Sequence, residues 1–151
     1  MQKLQAQIEI NKPIEDVFSY ISNLKNLPFW GEVDGVEVEW EGESTRYTAF
    51  NKNLLSVTRF PLEITKIERP FLFAFKNSSK AGGEFCYSLE SLDGGGVLVK
   101  VDYELAVGVT FSVLNFGGTM QVRLERLLKN LKKRVEALAD VEFVDESVGA
   151  E

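Results

Sequence analysis

The sequence predicts an α+β domain: a curved antiparallel sheet of six to seven strands wrapped around a long C-terminal helix, with two short helices after the first strand. Three observations predict it. Apolar and polar residues alternate through a series of short runs between Lys3 and Val107, the period of half-buried strands. Turn-forming stretches join these runs, so neighbouring strands pair as hairpins. Near the C-terminus the period changes, and Met120, Leu124, Leu127, Leu131, Val135 and Leu138 recur at steps of three and four. That is one stripe of a helix of about five turns. A sheet with one apolar face needs a cover, and this stripe is the largest apolar surface available.

Each element follows in order. Leu4, Ala6, Ile8 and Ile10 alternate with Lys3, Gln5, Gln7 and Glu9, giving a first strand with one wet face. Asn11, Pro13, Glu15 and Asp16 then read as a capped helix start, continued by Ile14, Val17, Phe18 and Ile21. A second short helical piece is expected over Leu24–Phe29, broken by Pro28. Val36, Val38 and Trp40 alternate with Glu37, Glu39 and Glu41, and further strands are expected over Thr45–Asn51 and Leu55–Ile67. Pro61 inside the latter implies a bulge or an edge position. Phe71, Phe73 and Phe75 share a face, as do Phe85, Tyr87 and Leu89 after the Gly82-Gly83 turn. Asp93-Gly94-Gly95-Gly96 is a strong hairpin signal. The partner strand carries Val97, Val99, Val101, Tyr103, Leu105 and Val107 opposite Lys100, Asp102 and Glu104. Gly117-Gly118 marks the change to the long helix. Residues 1–140 are expected to form the domain and 141–151 an acidic flexible tail.

The bulk composition narrows the function. A chain of 151 residues can bury roughly 68–70% of its unfolded surface, enough for one core. Net charge is −6, which argues against nucleic acid as the partner, since phosphate binding needs a cationic face. No run approaches the ~20 apolar residues needed to cross a bilayer, so membrane contact, if made, is peripheral and not integral. The single cysteine, Cys86, excludes an intrachain disulfide, and with no secretion signal at the N-terminus the expected setting is cytoplasmic. There is no histidine, so Ser-His-Asp triads, Cys-His pairs and zinc sites built on histidine are excluded. No cofactor or metal is expected, and no residue pattern specifies an oligomeric state.

The segment Ile8–Trp30, "IEINKPIEDVFSYISNLKNLPFW", resembles the opening of polyketide cyclase/dehydrase-like proteins in the START and birch-pollen-allergen-like superfamily. "FPLEITKIERPFLFAF" (residues 60–75), the Gly-rich hairpin and the closing "LERLLKNLKKRVEAL" (residues 124–138) fit the same group. The likeness covers about residues 3–138. It implies a helix-grip fold with a cavity between the concave sheet and the long helix. It implies as lining candidates Trp30, Tyr47, Phe73, Phe75, Phe85, Tyr87, Tyr103, Phe116 and Met120. Pro61 leaves the facing of Arg59 and Glu63 open; an inward Arg59 would hold a carboxylate or phenolate by a charge-assisted bond and joins the ligand-binding candidates.

Fold does not set function in this superfamily. An inward aromatic fills a core more often than it lines a site, whereas a buried phenol asks for a partner that a ligand oxygen can supply. The acidic cluster Glu32, Asp34, Glu37, Glu39, Glu41 and Glu43 reads as a solvated strand face, and no catalytic dyad is visible. Cys86, opposite in facing to Phe85 and Tyr87, reads as an inert thiol. The leading expectation is a binding or carrier protein for a small hydrophobic molecule: a lipid, quinone, isoprenoid or polyketide-like aromatic. A cyclase or dehydratase using a tyrosine or Arg59 to polarise a carbonyl is the alternative. A protein- or membrane-docking module, acting through the basic helix face or an edge strand, is the third.

Overall fold

The computed structural model describes residues 3–41, 44–78, 83–105 and 116–138. Strand β1 (Lys3–Ile10) is followed by helix α1 (Ile14–Ser22), a 3-10 turn (Leu24–Asn26) and helix α2 (Leu27–Trp30). Six strands come next: β2 (Gly35–Glu41), β3 (Ser44–Lys52), β4 (Val57–Glu68), β5 (Leu72–Asn77), β6 (Gly83–Ser91) and β7 (Val97–Leu105). Helix α3 (Phe116–Ala137) follows. The expected 141–151 tail and the strand continuation to Val107 lie outside the described residues.

The strands form one antiparallel sheet in the order β1-β7-β6-β5-β4-β3-β2, so β1 and β2 are its edges. Consecutive strands from β2 to β7 are neighbours, the arrangement that hairpin turns impose. Between β6 and β7, Gly94 and Gly95 adopt φ of 97° and 98°, which only glycine reaches without strain. Leu92 N donates to Gly96 O at 2.8 Å and closes that turn.

Pro13 caps α1 in an extended conformation, and Glu15 and Asp16 in its first turn suit the positive end of the helix. The expected second helical piece is divided one residue before Pro28, into the 3-10 turn and α2, and Pro28 sits in the first turn of α2, where a proline lacks only an N–H that would have no intrahelical acceptor. Pro61 pairs with Thr48 of β3 and lies one residue beyond the last β4–β5 ladder pair, Leu62–Asn77, so its missing N–H falls at the end of that ladder. Its carbonyl accepts from Ser78 N at 2.9 Å. The bulge lies three residues on, between Ile64 and Lys66, where it bends the strand.

The α3 stripe is buried as expected, with Leu124, Leu131 and Val135 at 0% exposure and Leu128 added to it. It closes one core with Phe18, Trp30, Phe73, Tyr87 and Val99. Gln121 Nε2 to Gln5 O and Lys132 Nζ to Glu9 O, both 2.8 Å, hold α3 along β1. Two expected core aromatics stay out of it. Trp40 is 75% exposed because β2 is an edge strand, and Phe71 is 59% exposed because it belongs to the β4–β5 turn.

Candidate functional site

Register decides the site. Phe75, Phe85 and Tyr103 are direct cross-strand partners on β5, β6 and β7, and Phe73, Tyr87 and Val101 form the next row. Side chains two apart on a strand share a face, so both rows face α3. The rings are in contact: Phe85 lies 5.4 Å from Phe75 and 4.7 Å from Tyr103, and Tyr87 lies 6.3 Å from Phe75. Trp30, at the end of α2, meets Tyr87 edge-on at 5.7 Å.

Between these rings and α3 lies a cavity of about 220 Å³. Its walls are Leu27 and Trp30 from α2, Phe60 and Leu62 from β4, Phe75 and Asn77 from β5, and Phe85 and Tyr87 from β6. Tyr103 from β7 and Met120, Arg123 and Leu127 from α3 complete them. Glu32, Val33 and Asn51 line one end. There Arg123 Nε meets Glu32 Oε1 at 2.8 Å, and Arg126 lies 3.6 Å from the other oxygen. This partly exposed cluster ties the α2–β2 connection to α3 across the opening. Gly83 also belongs to the wall, and the Tyr103 ring lies directly across the space a Cβ there would occupy.

The wall carries polar groups from Asn77, Asn51 and the Arg123–Glu32 pair as well as from its aromatic side. Burial pushes the Tyr87 phenol far above its ordinary range, so its hydroxyl stays a neutral donor. Burial also raises Tyr103, while the nearby Arg123 charge pulls it back down. Trp30 Nε1 is, among the described residues, the one buried side-chain polar atom with no hydrogen-bond partner. No group of three or more acidic or cysteine side chains that could hold a metal ion occurs among the described residues.

Of the residues expected at the pocket, Trp30, Phe75, Phe85, Tyr87, Tyr103 and Met120 stand together in its wall. Phe73 does not reach it. It is wholly buried and meets Phe18 edge-on at 6.5 Å. Tyr47 packs half-buried against the core on β3, outside the wall. Arg59 faces away from the cavity: Phe60 and Leu62 of β4 point inward, so Arg59 stands on the opposite face and bonds Glu37 through Nε at 3.1 Å. Glu63 shares that outer face and lies 4.0 Å from Lys76. The Phe116 side chain lies outside the described residues. Cys86 stands opposite Ala74 and Asp102 in register, and its thiol is raised first by burial and then by the Asp102 charge.

Sequence reasoning missed Arg123 and Glu32. Arg123 lies three residues after Met120 and so flanks the same helical stripe, a signal available in the spacing. Glu32 had none, because it sits in an irregular connection where alternation does not apply.

A concave sheet closed by a long helix over an aromatic cavity defines the helix-grip class. The chain matches the family model described as polyketide cyclase / dehydrase and lipid transport over residues 1–136, and it belongs to that family. A START superfamily protein from Mycobacterium smegmatis superposes with a TM-score of 0.74 at 18% identity, covering 91% of this chain and 99% of that one. A protein from Thermus thermophilus is 25% identical, with a TM-score of 0.64 and coverage of 90% and 98%. The di-domain ARO/CYC StfQ from the steffimycin biosynthetic pathway gives 0.67 at 16% identity, over 88% of this chain and 44% of StfQ. None of the curated proteins matches.

Proposed function

We propose that this chain binds a small apolar molecule in the cavity and holds or carries it without transforming it. The observation that supports the reading is the aromatic wall around about 220 Å³ of empty space. A dry apolar cavity of about 150 Å³ takes benzene, and drug-sized sites run to roughly 300–1,000 Å³. A guest of one or two rings, such as a quinone or polyketide-like aromatic, fits between those limits. Phe75, Phe85, Tyr87, Tyr103, Met120 and Trp30 would supply its contact area, and a neutral Tyr87 hydroxyl suits a guest oxygen.

The enzymatic alternative calls on a tyrosine or Arg59 to polarise a carbonyl; Tyr87 and Tyr103 do stand in the wall, but Arg59 points away from the cavity and bonds Glu37 instead. The docking alternative through the basic helix loses several of its charges to contacts within the chain. Arg123 and Arg126 meet Glu32, Lys132 meets Glu136 at 2.7 Å, and Arg134 lies over the Phe29 ring at 4.6 Å. A cytoplasmic setting belongs to the same proposal, since one partly buried thiol needs no oxidising compartment.

Native mass spectrometry of gently purified protein, with titration of an apolar fluorophore such as anilinonaphthalene sulfonate, tests this. A bound small molecule or one saturable site is the expected result. An empty protein that takes up no apolar probe would end the reading.

A further inference from the structure

The tip of the β3–β4 hairpin, residues 53–56, carries two adjacent leucines with no protein around them: Leu54 is 102% exposed and Leu55 97%. Val57, where β4 begins, is 42% exposed. Single apolar residues on a surface are ordinary, but two whole leucines side by side at the end of a projecting turn leave a compact apolar point in water. The turn around them is tightly built. Asn53 Oδ1 accepts from Leu55 N at 3.0 Å, Ser56 N at 2.8 Å and Ser56 Oγ at 3.0 Å, and Asn53 N donates to Ser56 O at 3.0 Å. The polar groups are folded onto one another and the leucines are left outside.

The position of this tip ties it to the cavity. Asn51, two residues before it, lines the cavity end, as do Glu32 and Val33. Asp34 joins the two: its carboxylate accepts from Lys52 N at 2.6 Å, and its own N–H donates to Phe50 O at 2.9 Å. The leucines therefore project from the end of the sheet at which the cavity is rimmed.

We propose that this tip docks the open end of the cavity on a lipid bilayer, with Leu54 and Leu55 entering the apolar layer. A protein partner is the poorer fit, because specific interfaces bury on the order of 1,200–2,000 Å² and two side chains on a narrow turn offer only a fraction of that. A bilayer asks for apolar side chains and for paired backbone donors, and the Asn53 turn pairs three of its four, the N–H groups of Asn53, Leu55 and Ser56. Lys52 stands one residue from the tip, its ammonium 5.5 Å from the Phe50 ring, where a headgroup would meet it. Burying one leucine is worth roughly 10- to 150-fold in a partition constant, so two give weak, reversible attachment. That suits a protein that collects or delivers an apolar guest, and in this purpose the inference rests on the cavity reading.

The test is flotation with neutral phosphatidylcholine vesicles. Wild type should float, and the double variant Leu54→Ser, Leu55→Ser should bind about a hundredfold or more weakly. In Leu54→Trp the new indole should shift to the blue on adding vesicles and be quenched by brominated lipid. Trp40, on the sheet edge at the far end of the β2–β3 pair, and buried Trp30 should not respond. Wild type left in the pellet, a double variant that floats like wild type, or an unmoved Leu54→Trp emission would each overturn the proposal, the first pointing instead to a protein partner. Anilinonaphthalene sulfonate uptake without vesicles separates the two readings. The double variant should keep it, since neither leucine lines the cavity. Wild type that floats but takes up no probe would remove the cavity reading and leave the docking intact.

Discussion

Phe73 and Phe85 are neighbours in the sheet, and removing one ring should weaken mainly the fold, the other mainly the binding. Phe73 has no exposure and packs against Phe18 at 6.5 Å and Phe75 at 5.8 Å. Truncating a buried phenylalanine to alanine costs about 3–5 kcal/mol, because the transfer energy is lost and a void remains. For a chain of this size each kcal/mol moves the melting temperature by about 2–4 °C, so Phe73→Ala should melt roughly 6–20 °C lower. Phe85 is only partly buried and already borders open space. Its loss enlarges an existing cavity and removes stacking on Phe75 and Tyr103, together about 1–2 kcal/mol. Phe85→Ala should therefore melt roughly 2–8 °C lower. An apolar probe loses its own contact with the ring, worth about 0.5–1.5 kcal/mol, and should bind about 2- to 12-fold more weakly. Thermal melts by circular dichroism and probe titration at a temperature where both variants are folded measure the contrast. Equal melting temperatures, or a larger loss of probe affinity in Phe73→Ala, would refute the division between filled core and cavity wall.

Three further outcomes follow from the same geometry. Gly83→Ala should drive the Tyr103 ring out of place at an overpacking cost of about 1–3 kcal/mol and reduce probe binding, whereas alanine at the open Gly94 position, φ 97°, should lower only the melting temperature. Glu136 is held below its ordinary carboxylate range by hydrogen bonds from Lys132 and the Asn11 N–H; because the folded-state value is depressed, the stability it contributes is present above the unfolded value near 4.3 and is lost as pH falls through the folded one, so Glu136→Gln should lower the neutral-pH melting temperature and flatten its acid limb. Cys86 should react with a disulfide reagent at neutral pH more slowly than free cysteine, since burial and the Asp102 charge disfavour its thiolate, and Cys86→Ser should leave probe binding unchanged.

How far the site was legible depends on how local its determinants are. Tyr87 and Phe85 share a strand face with Leu89 by alternation, and the glycine pair at 94 and 95 marks the hairpin that pairs their strand with β7. That is enough to bring Tyr103 beside them. β4 defeated the same logic. Pro61 obscured the parity of the strand, and its facing appears only once Phe60 and Leu62 are seen against the cavity. Arg59 was a pocket candidate for that reason and stands outside. Trp40 alternates like a core residue, but no period reveals that its strand is the edge.

Taken alone, the chain determines its elements and their layering, because strand and helix periods are properties of neighbouring residues and an apolar face must be covered. Tertiary structure decides which rings enclose space and which fill it. Phe73 and Phe75 are the same residue type on the same strand face, yet one is packed against α1 and the other borders the cavity. That difference arises from what helices α1, α2 and α3 bring over each row of the sheet, and a void is the absence of neighbours that lie far away in the sequence.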